Sequence, residues 1–462
     1  MERAPDTTDV TIDATTDVTQ RLADYASGLT LKDIPVDVRA IAKQCLLDWL
    51  GVTLAGAQEP LTQKLLDYSR AEGCGDHATL IGLDGRGSVS QAALINGSAG
   101  HALDYDDVLK LLRGHPTAPV APVALAFAER DLSSGADLLV AFIAGVETEA
   151  RIGGFVGDSP YVKGWHQTAT VGTFGAAAAG ARIMGLDGAD TAVALGIAGT
   201  QAAGLKAMFG TMCKPLHAGK AAANGVLAAE LAKRQFTSRS DILECAQGFA
   251  ATQTENIDPA TALEGLGTDF CIPKLLFKYH AACYGTHAGI ESARAIAGNP
   301  SFDLDKVERV DVNVPERTMN MCNILEPTTG LEVKFSHRFT TALALAGEET
   351  GSLEVYDESF ATRPDLVALR DKISIHGRED YTPNQTDMTV HQSDGTAIME
   401  SRDMTIPNPD LEDQWQKLET KFRALADPLI GEENAERTVA IIRDLERQDD
   451  ASGIAAACRT SR

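Results

Sequence analysis

A chain of 462 residues, 44% hydrophobic and 23% charged, has ordinary globular composition and is too long for one simple core, so two domains are expected. Its formal net charge of −24 excludes nucleic acid as a partner, which needs a basic footprint, and requires any anion site to concentrate its cations in one pocket. The eight cysteines (Cys45, Cys74, Cys213, Cys245, Cys271, Cys283, Cys322 and Cys458) form no CxxC pair and are expected mostly as buried thiols rather than a disulfide framework or zinc knuckle.

In chain order, residues 1–16 are Asp/Thr-rich without an apolar stretch, which predicts a frayed tail rather than a signal peptide and a cytoplasmic protein. Val38, Ile41, Ala42, Cys45, Leu46 and Trp49 share one face at three-and-four spacing, predicting a helix over 35–56 that opens on Pro35. The segments 136–154, 166–185 and 191–210 read the same way, and their many Ala and Gly residues imply helices that approach closely inside a thick bundle. The uncharged run AVALGIAGTQAAGL (192–205) is short for a membrane span and carries Thr and Gln, so a buried helix is expected and no membrane association. A further helix is predicted to start at Pro215. Past residue 270 the pattern changes. KVERVDVNVPE (306–316), DKISIHG (371–377) and TDMTVHQSDGTAIMES (386–401) alternate as strands do, the last with a hairpin turn at SDG, and SHRFTTALALAGEE reads as a helix. Helices return at DLEDQWQKLETKFRALADP. The expected fold is therefore mainly α: a large all-helical domain (17–270 with 405–462) carrying an inserted smaller α+β domain (271–404).

Four stretches carry residues suited to chemistry. In SAGHALDYDDVLKLLRGHP, His101 and His115 bracket Asp104, Asp106 and Asp107, and the HP step places His115 at a helix entrance, where a ring reaches a ligand. Gly164, Trp165 and His166 precede a second tight helix. In GTMCKPLHAGKAAANG, Lys214 stands beside the free N–H groups of the predicted helix, where anions collect. Finally, Lys278, His280, Cys283, Tyr284 and His287 crowd ten positions near the predicted domain boundary. Their H-x2-C-x3-H spacing offers three ligands at most, so no metal is expected. Each stretch alone is equally a capped or hydrogen-bonded structural junction; three similar junctions in one chain point to a shared anion site. DYDDV in an α-rich chain also fits a magnesium-dependent isoprenoid-type synthase, but no convincing second acidic cluster accompanies it. A non-catalytic helical scaffold is the remaining alternative.

Taken together, GHALDYDD followed by HP, GWH before a Gly/Ala helix, GTMCKPLHAGKAAANG, KYHAACYGTH and EPTTGLEVKFSHRF resemble, in order and across residues 18 to about 450, the MmgE/PrpD family. Its members include 2-methylcitrate dehydratase, cis-aconitate decarboxylase and iminodisuccinate epimerase. The resemblance implies a cofactor-independent enzyme, usually a homodimer, with a helical body, an α+β lid and a site between them for a small di- or tricarboxylic acid. It carries Asp104, His115, His166, Lys214 and Lys278 into the pocket lining, with Tyr161 as a further proton donor; His101 and Cys283 are expected to contact substrate. Cys283 stands where the decarboxylase branch has a histidine five residues after the last lysine, and Val108 where a Thr can follow the DD pair. These departures favour dehydration or epimerisation, with decarboxylation second. All three reactions pass through an enolate-like carbanion, which needs cations aimed at oxygen (Lys214, Lys278) and an acid or base near carbon (His115, His166), with Asp104 orienting a ring.

Overall fold

The structure, a computed structural model, describes residues 17–319 and 321–460; the tail expected over 1–16 lies outside them. Contacts divide the chain into two units, one ending at Leu275 and resuming at Ala426, the other spanning Leu276–Leu425. The chain is mainly α, with a small mixed sheet confined to the second unit.

In the first unit the helices that matter for the site are α1 (Val36–Gly56), α2 (Val89–His101), α3 (Thr117–Asp131), α4 (Gly135–Val156), α5 (Gly172–Ile183), α6 (Gly188–Gly199) and α7 (Cys213–Lys233). Helix α2 opens on a capping box: Ser88 Oγ accepts from the Gln91 amide at 3.2 Å and the Gln91 side chain accepts from the Ser88 amide at 2.8 Å. Helix α7 packs closely on both α2 and α5, and α5 also packs on α4. Small residues make this possible. A Cβ on Gly219 would lie 2.1 Å from Leu94 O and Ser98 Oγ, and a Cβ on Gly97 would lie 2.9 Å from Gly219 Cα. Only hydrogen fits between α2 and α7, so the last turn of α2 is held against the first turns of α7.

Three helix expectations change. The segment 166–185 is broken into Gln167–Thr170 and α5, with Val171 between them. The segment 191–210 stops at Gly199, followed by a single 3₁₀ turn over Lys206–Met208. The helix expected from Pro215 starts two residues earlier, at Cys213, whose amide donates to Thr211 Oγ1 at 3.2 Å. Pro215 then falls within the first turn, where its missing N–H has no intrahelical partner to lose. Among the described residues no helix is long and apolar enough to cross a membrane.

In the second unit, β1 (Val307–Pro315), β2 (Ile373–Arg378), β3 (Gln385–Gln392) and β4 (Ala397–Asp403) form one sheet in the order β2-β1-β3-β4. Strand β1 runs parallel to β2 and antiparallel to β3, and β3–β4 is the hairpin read from SDG, with Gly395 at φ +85°. Strand β3 buries every second residue, as its alternation predicts. Helix α8 (His287–Ala297) packs on β3 and β4, and α9 (His337–Leu345) packs on α8 and β2. Helix α10 (Leu411–Ile430) belongs to this unit as far as Leu425, whereas the sequence pattern places the return to the helical body at 405.

Candidate active site

Three chain segments of the first unit deliver their polar residues to one place. His101 is the last residue of α2; Asp104 and Asp106 follow in the turn after it; His115 and Pro116 lead into α3. His166 caps the short turn Gln167–Thr170, and Lys214 and His217 lie in the first two turns of α7. Asp104 adopts the left-handed region at φ +51°, which Asp tolerates better than most residues.

Asp106 is the hub. It is buried, and its carboxylate accepts from His101 Nδ1 at 2.9 Å. His115 Nδ1 lies 3.2 Å from the same carboxylate, off the angle of a hydrogen bond. Burial works to raise the Asp106 pKa, but the two imidazoles outweigh it and hold the carboxyl well below its usual range. His101 is correspondingly a neutral ring. Burial lowers it to about 4 against the pull of Asp106, and its Nε2 has no hydrogen-bond partner among the described residues.

Asp104 plays a different part at the solvent side. Its Oδ1 lies 2.8 Å from Lys214 Nζ and 3.5 Å from His115 Nε2. The His115 ring thus has one carboxylate at each nitrogen. Its backbone N–H is tied to Thr168 Oγ1 at 3.1 Å. The Lys214 ammonium also sits 5.4 Å from the centre of the Phe209 ring, a cation–π distance. His101, Asp104, Asp106 and His115 offer atoms within 4.8 Å of one another, a set able to ligate a cation. The Lys214 ammonium already supplies positive charge at that spot.

His166 completes the group. Its ring stacks 5.8 Å from His101, meets Phe209 edge-on at 5.0 Å, and places Nδ1 3.0 Å from His217 Nδ1. Burial, reinforced by His101, His115, Lys214 and His217, depresses its pKa far below the usual histidine value. It is a neutral imidazole across the physiological range.

The structure therefore brings together His101, Asp104, His115, His166 and Lys214. Tyr161 is half-buried in the same unit, with Lys206 Nζ 3.6 Å above its ring and bonded to its carbonyl at 3.0 Å; burial raises its pKa, which weakens it as a proton donor. Lys278 and Cys283 belong to the second unit. Lys278 is buried there, and its carbonyl accepts from Lys421 Nζ at 2.7 Å. Cys283 and Cys322 are free thiols that hydrogen-bond each other, which together with burial pushes the Cys322 pKa up. His280 is a structural ring: Nε2 meets Glu291 at 2.8 Å and Nδ1 meets Thr350 Oγ1 at 2.8 Å. Sequence reasoning names Asp106 only as one of three bracketed aspartates, without a role, and does not single out His217. The signal for His217 is its spacing three residues beyond Lys214, which puts both on one face of α7.

Known proteins bear on this arrangement. The MmgE/PrpD N-terminal domain matches residues 20–261 and the MmgE/PrpD C-terminal domain matches residues 280–447. The chain is 28% identical to the cis-aconitate decarboxylase of Mus musculus, over 94% of this chain and 92% of that one. It is likewise 28% identical to the Homo sapiens cis-aconitate decarboxylase, over 94% and 93%. To the Aspergillus terreus cis-aconitate decarboxylase it is 25% identical, over 94% of both. With both family domains matched in order around the motifs that build the histidine–lysine cluster, the chain belongs to the MmgE/PrpD family.

Proposed function

We propose that this protein is a lyase or isomerase that forms or quenches a carbanion beside a carboxylate of a small di- or tricarboxylic acid, using its own side chains for the proton transfer. The observation that carries this reading is the convergence of His115 and Lys214 on Asp104 at the N-terminal end of a long helix, with the His166 ring beside them against His101 and His217. A substrate carboxylate entering there meets the Lys214 ammonium and the positive end of the α7 dipole, in place of or beside Asp104; the first-turn amides themselves are spent on Thr211 and Met212. Charge that develops on that carboxylate in the transition state is then opposed by groups already in position. His166, kept neutral, is the acid or base at carbon. His115, gripped at both nitrogens, is the second proton carrier.

Decarboxylation of a cis-aconitate-like acid is the first outcome to test, supported by similarity over nearly the whole chain to cis-aconitate decarboxylases. Dehydration or epimerisation is the second, supported by Cys283 at the position of the branch histidine. The experiment incubates the protein in D₂O with tricarboxylic and hydroxy- or imino-dicarboxylic acids and follows C–H exchange, loss of water and release of CO₂ by NMR. Turnover of at least one acid is expected; inertness toward all of them sinks the reading. Lys214→Ala should lower kcat/KM by about 10²–10³-fold while leaving the melting temperature within a few degrees. Lys278→Ala and Cys283→Ala test whether the second unit serves the same chemistry, through their effect on the same turnover.

A further inference from the structure

His166 and His217 approach through like atoms. Nδ1 of one ring lies 3.0 Å from Nδ1 of the other, a hydrogen-bond distance. Two such nitrogens attract only when one carries hydrogen and the other a lone pair, so the pair shares one proton and the tautomers are coupled. The geometry is enforced locally. The His166 amide donates to Gly204 O at 3.0 Å, and Gly204 sits at φ +149°, where a Cβ would come within 2.5 Å of Ala169 Cβ and 3.5 Å of His217 Nδ1. Phe209 closes the other side of the His166 ring.

The groups facing this pair are the His101 and His115 rings and the Lys214 ammonium, with Asp106 bonded to His101 and Asp104 paired with Lys214. In that company and with its ring buried, His166 does not store an extra proton. A neutral imidazole that gives up its only proton becomes an imidazolate, unless its second nitrogen is protonated in the same step. The nitrogen available for that is Nδ1, and His217 is the group bonded to it. His217 is only half-buried, so part of its side chain meets solvent.

We infer that His217 is the proton relay of this site, linking His166 to solvent; the inference rests on the proposed reading of the protein as a proton-transfer enzyme. As a carbanion is quenched, the His166 Nε2–H bond breaks and a C–H bond forms. The His217 Nδ1 proton crosses to His166 Nδ1, and His217 Nε2 takes a proton from a hydronium ion, leaving water. One proton has moved from solvent to carbon, and both rings end neutral with exchanged tautomers. Between turnovers His166 Nε2 takes a proton from solvent, the shared proton returns to His217 Nδ1, and His217 Nε2 releases its own. Proton abstraction runs the same path backwards. His217 is thus a positioning and relay residue that acts through His166.

The test compares wild type with His217→Gln and His217→Ala. Glutamine keeps a side-chain N–H for His166 Nδ1 but does not pass a proton on. On whichever acid the wild type turns over, both variants are expected to lose about 10²-fold in kcat with KM changed less than about threefold. Added imidazole should restore part of the rate to the alanine variant. In substrate-free protein labelled with ¹⁵N-histidine, NMR should show the His166 tautomer retained in the glutamine variant and redistributed in the alanine variant. A glutamine variant with wild-type kcat overturns the relay, as does a His166 spectrum indifferent to both substitutions. The NMR arm needs no substrate, so a wild type inert toward every acid would defeat the proposed function while leaving the shared proton to be judged separately.

Discussion

Asp106 shows how one buried carboxylate organises several rings. Removed from water, it remains ionised because two imidazoles face it, and it orients both: His101 presents an Nε2 with no hydrogen-bond partner among the described residues, and His115 presents Nε2 toward Asp104. Asp106→Asn keeps the shape and removes the charge. The asparagine would then offer N–H groups to rings that now lose their anion, and His115 would be free to turn. The expected result is a fall in kcat of about 10²–10⁴-fold, the range of a mispositioned general acid–base group, with a smaller change in KM. Measuring both constants separates the outcomes, because a purely local packing role would leave kcat near wild type. Asp104 differs in kind. It is half-exposed and pairs with Lys214 on the solvent side, so its charge is screened, and its contribution is to hold an ammonium where an anion is received.

At the scale of elements, the alanines and glycines are what allow the site to exist. Helix α7 reaches the last turn of α2 because Gly219 has no side chain. Gly219→Ala would place a methyl carbon against backbone oxygen, which does not yield as a flexible side chain does. A cost of about 1–3 kcal/mol in unfolding free energy is expected, with loss of turnover as Lys214 and His217 are displaced from His101. Gly289→Ala in α8 is the internal control. Its nearest neighbour would be Thr341 Oγ1 at an ordinary 3.7 Å, so the helical preference for alanine should make it neutral or stabilising by up to about 1 kcal/mol. Equal effects of the two substitutions in denaturant titrations would refute the close-approach argument. The same small residues explain what the sequence does not reveal. The strands and the β3–β4 hairpin are legible because a half-buried strand must alternate. The breaks at Val171 and Gly199 are not, because a helix apolar on every face has no stripe whose interruption marks an end. Motif order points to His115, His166 and Lys214 individually. The contact of His166 with His217 depends on the Gly204 turn, which brings segments about fifty residues apart together, and no local spacing encodes that approach.

Over the whole molecule, burial has moved many ionisable groups in two opposing directions, and stability should record it. His101 and His337 are lowered to about 4, and His166, His217, His280 and His287 are lowered as well, all chiefly by burial. A histidine whose folded pKa is depressed stabilises the fold fully above its unfolded value near 6.5 and loses that contribution as pH falls toward the folded one. Asp107 is raised to about 8 and Glu147 to about 7, while Glu149 is raised well above its usual range with neither carboxylate oxygen hydrogen-bonded among the described residues. These acids are protonated when folded, so their contribution is complete below the unfolded carboxylate values near 4. It is lost as pH rises through 7 and 8. Six histidines outweigh three acids between pH 4 and 6.5, and above 6.5 the acids act alone, so unfolding free energy should peak near pH 6–6.5 and fall on both sides. Asp107→Asn separates the two arms. It preserves an acceptor for the Thr117 amide and replaces the oxygen that accepts from Thr117 Oγ1 by an amide NH₂, from which that hydroxyl can accept after rotating, and it has no charge to gain. Urea titrations should show the variant's stability relative to wild type rising between pH 5 and pH 8.5 by up to about 4 kcal/mol, the smaller part of the gain being present already at pH 5. A gain of the same size at both values would mean that Asp107 is ionised in the folded protein, and that the protonated core carboxyls do not set the alkaline arm.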